Sequence, residues 1–126
     1  MESKRIYVVV ARNVQVDGKQ VCVTSASIAV QGGHALLLMA EESRLNNLWD
    51  QNLIYLSVGN AFELEPLESL LNMKGIRHIV YRDPDEPWNG SRTAIATVPI
   101  TKEEAQVLAF LKPWGCKCNT KVSNAA

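Results

Sequence analysis

His34 and Asp83 are the side chains best suited to chemistry in this chain. His34 sits in the apolar run Ser27 to Glu42, SIAVQGGHALLLMAEE, with Gln31 three residues before it. A neutral imidazole in that position can orient or deprotonate a water. Asp83 belongs to the run 82–92, RDPDEPWNGSR, whose prolines and Asn-Gly pair read as a loop. Each residue has a plainer role open to it. A histidine on an apolar helix is often a core residue, and an aspartate beside a proline often caps a turn. Arg12, Arg82 and Arg92 fall near predicted strand ends, where guanidinium forks suit phosphate; each is equally an ordinary surface arginine. Trp88, in the same polar loop, is placed to stack on a base or to pack at a dimer interface. Asp83, Asp85 and Glu86 lack a clear ligand spacing, and Cys116-Lys-Cys118 has the wrong spacing for a zinc knuckle. No metal and no cofactor are expected.

The elements that must position these groups follow from pattern. The run 27–42 reads as a buried central helix whose first turns, Ser27 to His34, face the site, with Ser25 or Ser27 as its cap. Gly32 and Gly33 each cost roughly 1 kcal/mol inside a helix, so a close approach by another backbone or a ligand is expected there. Ile6 to Val10 is an unbroken β-branched run suited to a central strand buried on both faces. Asp17-Gly18, flanked by alternating valines, marks a hairpin inserted before the helix. Further strands are predicted over Leu53–Val58, Arg77–Tyr81 and Thr93–Val98. Arg44–Asp50 reads as a short turn with Leu45, Leu48 and Trp49 facing in. A second helix runs from about Leu64 to Lys74 and stops at Gly75. Thr101 and Glu104 form a capping box opening a last helix that ends by Pro113. The alternation predicts an α/β fold, a three-layer α/β/α sandwich with a small mixed, mostly parallel four-stranded sheet. Ligands in such sheets bind beyond the carboxyl ends of strands, where Arg12 and Asp83 fall.

Composition sets the outer limits. The 126 residues suffice for one domain, taken as 1–113, with 114–126 a polar, flexible tail. A 47% hydrophobic and 21% charged composition fits a soluble globular protein. The net charge of zero argues against holding nucleic acid through bulk positive charge. No apolar run reaches the roughly 20 residues of a membrane span. Three cysteines do not suggest a disulfide framework, and Met1 to Arg5 leads straight into a strand-like run, so a cytoplasmic setting is expected.

The element order, the helix segment Ala29-Val30-Gln31-Gly32-Gly33-His34-Ala35 and the loop Arg82-Asp83-Pro84-Asp85 ahead of Thr93-Ala94-Ile95-Ala96 together resemble the type II peptidyl-tRNA hydrolase family, over about residues 4 to 112. The likeness is closer to a divergent branch with an R-D-P-D loop. It implies cleavage of the ester between a peptide and the tRNA 3′ ribose. It further implies catalytic roles for His34 and Asp83, and Thr93 stands nearest to the family's loop threonine. The family's helix lysine corresponds to a position near Ser27; Lys19 replaces it only if the hairpin folds back over the site. Arg12, Lys19, Gln31, Arg82, Trp88 and Arg92 form the expected substrate-binding set, with oxyanion support from backbone N–H groups near Gly32 and Gly33 or from Thr93. Three readings follow: a hydrolase acting on the tRNA 3′ end, a protein on the same scaffold that binds a nucleotide-like ligand without turnover, and a structural homodimer joined through the valine-rich hairpin and Trp88.

Overall fold

A computed structural model describes residues 3–114. Its centre is strand β1, Lys4–Ala11, in which every side chain from Ile6 to Ala11 is buried. Burial of successive residues means that both faces of the strand are covered, as its unbroken apolar run predicts. Each fully buried valine or isoleucine there contributes about 1.5–3 kcal/mol relative to exposure.

Strand β4, Asn52–Val58, pairs with β1 in parallel, with Ala11 beside Val58. On the other side β6, Arg92–Thr97, pairs antiparallel with β1, and β5, His78–Arg82, pairs antiparallel with β6 at the sheet's edge. Two short strands complete the sheet. Residues Ile100–Thr101 (β7) pair with the start of β1, and Lys112–Pro113 (β8) pair with β4 at the opposite edge. The sheet therefore has six strands among the described residues, not four, and β1–β4 is its one parallel pairing. The expectation of a mostly parallel sheet overlooked that β6 follows β5 directly across a loop, which forces an antiparallel pair. Because β6 reverses direction twice over, β1, β4 and β5 still run the same way. Their carboxyl ends, and hence Arg12 and Asp83, emerge along one rim.

The inserted hairpin is present as β2, Asn13–Val16, and β3, Lys19–Cys22. Asp17 and Gly18 both have positive φ, 51° and 79°, which a two-residue hairpin turn with the twist of the strands requires. The hairpin's base is clipped where Val23 N–H donates to the Arg12 carbonyl at 3.1 Å. Val14 is fully buried, and the half-buried Val16 and Val21 pack against the core, so these valines serve the packing of the chain itself.

Helix α1 spans Ser25–Glu42. Its cap is Thr24, whose hydroxyl accepts from the Ser27 N–H at 3.2 Å; the expected serine caps lie inside the helix. The helix is not buried on every side as expected: Val30 and Leu37 are 54% and 63% exposed, because α1 covers the sheet with one flank only. The two glycines differ sharply. A methyl group on Gly32 would sit 2.7 Å from Tyr55 Cε2 and 3.1 Å from Val10 Cγ1, whereas one on Gly33 would meet nothing within 4 Å. Gly32 thus lets the helix backbone press onto β1 and β4.

Helix α2, Leu64–Met73, packs on β6, buries Leu64, Leu67 and Leu71, and ends at Gly75 with φ of 71°. Trp49, expected to face in, is 86% exposed, while Leu45 and Leu48 do pack against the core. The last predicted helix is a single five-residue 3-10 turn, Glu104–Leu108. Its capping box forms: Glu104 accepts from the Thr101 N–H at 2.9 Å and returns its own N–H to the Thr101 hydroxyl at 3.1 Å. The chain then turns to lay β8 beside β4, which leaves no length for a longer helix. The polar tail with Cys116 and Cys118 lies outside the described residues.

Candidate functional site

The first turns of α1 and the β5–β6 loop meet at one rim of the sheet. There Gln31 donates from Nε2 to Asp83 Oδ2 at 2.7 Å, joining side chains 52 positions apart. The other carboxylate oxygen, Oδ1, accepts from the Asp85 N–H at 2.9 Å. One helical turn beyond Gln31, the exposed His34 ring stacks on Tyr81 with centroids 4.8 Å apart and planes 22° from parallel. Tyr81 is on β5, two residues before Asp83. The histidine and the aspartate therefore flank a single ledge built from α1 and the end of β5.

The loop holding Asp83 is closed on itself. Asp83 N–H donates to the Ser91 carbonyl, and Gly90 N–H donates back to the Asp83 carbonyl at 2.7 Å. Trp88 and Asn89 both donate backbone N–H groups to the Asp85 carbonyl. Asn89 and Gly90 take positive φ, 49° and 85°, the conformation that the Asn-Gly pair anticipates. Trp88 is only 2% exposed and belongs to the core. It plugs the loop from beneath, so it is available neither for base stacking nor for a dimer interface.

Gln31 is 4% exposed, and its Oε1 is buried with no hydrogen-bond partner. A buried amide oxygen left unpaired costs about 1–3 kcal/mol. The helix thus holds Gln31 in place for its bond to Asp83 while leaving its acceptor unused.

The remaining predicted residues divide. Thr93 is fully buried and its hydroxyl points to the Tyr81 carbonyl at 3.3 Å, so it braces β5 against β6 and does not face a ligand. The N–H groups of Gly32 and Gly33 lie in the middle of α1, committed to the helix ladder, and are not free to receive an oxyanion. Arg92 is engaged by α2: Nε reaches Glu68 Oε1 at 2.8 Å and Nη1 lies 3.9 Å from Glu65 Oε1. Arg82 donates to the Gly90 carbonyl at 3.2 Å. Arg82 and Arg92 do share a hollow of about 320 Å³ with Gln15, Asn60 and Ser91, but neither His34 nor Asp83 lines it. Arg12 is half-buried where β1 ends, its backbone tied to Val58 and Val23. Among the described residues it forms no ion pair with either arrangement. Lys19 is exposed on a hairpin anchored toward the connection after β4, where Asn60 Nδ2 donates to Gln20 Oε1 at 3.4 Å and Asn13 Nδ2 to the Gly59 carbonyl at 2.6 Å. The anion clamp foreseen from the three arginines is therefore split. Sequence reasoning missed Tyr81 as the platform for His34; its place near the end of β5, two residues before Asp83, was the available signal.

No group of three or more His, Cys, Asp or Glu is gathered to hold a metal among the described residues, and none of their helices is long and apolar enough to cross a membrane. No protein-family model and no curated protein matches this chain.

Proposed function

We propose that this chain hydrolyses the ester joining a peptide or an acylated amino acid to the tRNA 3′ end, as its resemblance to the type II peptidyl-tRNA hydrolases implies. The observation that carries this reading is the 2.7 Å Gln31–Asp83 hydrogen bond, which sets the loop carboxylate against the helix turn preceding His34. In this reading Asp83 uses a remaining lone pair to hold a water. The imidazole of His34 takes that water's proton as its oxygen bonds to the ester carbon. The ester C–O bond then breaks and the ribose oxygen recovers the proton from the imidazolium. Gln31 and Tyr81 act as positioning residues, fixing the carboxylate and the ring. The scaffold inferred is the three-layer α/β/α sandwich, with α1 and α2 on opposite faces; the burial of both faces of β1 supports it.

A second reading, binding of a nucleotide-like ligand without turnover, draws on the absence of a free oxyanion donor at Gly32, Gly33 or Thr93 and on the hollow shared by Arg82 and Arg92. One experiment separates the two. Peptidyl-tRNA with a blocked amino group is incubated with the wild type, Asp83→Asn and His34→Ala. The hydrolase reading expects wild-type turnover and a drop of about 10²-fold or more in each variant. A wild type that releases no peptide while retaining nucleotide in native mass spectra decides for the binder.

A further inference from the structure

The outer edge of β5 is open, and the geometry points to it as a docking site for one extended peptide segment of another protein, added to the sheet as a further strand. This inference goes beyond the proposed hydrolysis and does not rest on it.

The backbone directions are fixed by the inward bonds. Val98 N–H donates to the Arg77 carbonyl at 3.1 Å, and the Thr93 hydroxyl donates to the Tyr81 carbonyl at 3.3 Å. In an antiparallel ladder a residue's N–H and C=O point to the same side, and that side alternates along the strand. Arg77, Ile79 and Tyr81 therefore face β6, and the N–H and C=O of His78 and Val80 face outward. Within the sheet β5 has β6 as its one neighbour among the described residues, so no strand takes these groups. They recur about 6.8 Å apart, the two-residue repeat that an added strand matches.

The edge is also recessed. A groove of about 690 Å³ runs along it, walled by Met39 and Glu42 at the end of α1 and by Glu68 and Asn72 of α2. A second copy pairing β5 to β5 antiparallel would set Arg77 of one copy against Arg82 of the other, like charges opposite one another, which disfavours it against a peptide. Charge then selects among peptides. Exposed Arg77 and Arg82 stand at the two ends of the strand, about 17 Å apart along it, and neither has a carboxylate within ion-pair distance among the described residues. Of the two wall carboxylates, Glu68 is occupied by Arg92, which leaves Glu42 alone against the two arginines among the described lining residues. The occupant is accordingly a β-prone segment with acidic residues at its ends, held by main-chain bonds in the middle and by arginines outside.

The test uses the full chain and a fluorescein-labelled peptide, Asp-Val-Thr-Val-Thr-Asp with blocked ends. Saturable binding by fluorescence anisotropy is expected, with slowed hydrogen exchange at the Val80 and His78 amides. Arg77→Glu should weaken the acidic peptide by about fivefold or more and favour its Lys-ended counterpart. Methylating the peptide nitrogens at alternate positions in one register should abolish binding, and in the other should leave it; this arm needs no protein variant. No saturable binding at millimolar peptide, or binding without protection of Val80 and His78, overturns the proposal and leaves the arginines as charges that keep the edge from pairing.

Discussion

At the scale of single residues, the adjacent glycines of α1 have opposite meanings. Gly32 is required by packing, since a side chain there would press on Tyr55 and Val10. Gly33 faces open space, and no contact among the described residues offsets its cost. Gly32→Ala is therefore expected to destabilise by about 1–2 kcal/mol net of the helix gain, and Gly33→Ala to stabilise by up to about 1 kcal/mol. Thermal melts should move in opposite directions by several degrees. Tyr55 gives a second residue-level expectation. Burial raises its phenol above the ordinary value of 10.0. A folded-state value above the unfolded one contributes stability that is present below about pH 10 and is lost as pH rises through the folded value. Melting temperature against pH should thus fall more steeply above pH 10 in the wild type than in Tyr55→Phe. The glycine pair was visible in the sequence as a cost needing a reason. Which glycine had the reason was not, because that depends on a tyrosine more than twenty positions away.

At the scale of elements, local signals read well where the chemistry is local. The Asp17-Gly18 hairpin, the Gly75 stop and the Thr101–Glu104 box all depend on residues within a few positions of one another, and all are present. The last helix failed because the capping box sets only where a turn begins; the pull of β8 onto β4 sets where it ends. That box has a pH signature. The Thr101 backbone N–H holds the Glu104 carboxyl below its ordinary value of 4.5, with help from the Thr101 hydroxyl and the charge of Lys4. A lowered folded-state value gives stability that is present above about pH 4.5 and is lost as pH falls through the folded value. Glu104→Gln should flatten the acid limb of the melting curve there, by a small amount since the group is at the surface.

For the molecule as a whole, the sequence implied a mixed α/β architecture, which the structure bears out. It could not show that Trp88 turns inward or that Arg92 is claimed by Glu68, since both depend on where α2 and the loop settle in space. The splitting of the arginines has an electrostatic consequence. In the proposed hydrolase, a tRNA held through the expected substrate-binding set alone meets three cations outside the Arg92 ion pairs, Arg12, Lys19 and Arg82, so about three phosphates are neutralised. The logarithm of tRNA affinity should fall with the logarithm of salt at a slope of about 2 or less. A steeper slope, measured by filter binding across salt, would show that a basic surface elsewhere on the chain takes part.

The ring of backbone bonds around residues 83–91, plugged by Trp88, has one more implication. Such a loop cannot open and close as a flap. In the proposed hydrolase, Asp83 would then be held in place before any ligand arrives, by the same bonds that close the loop.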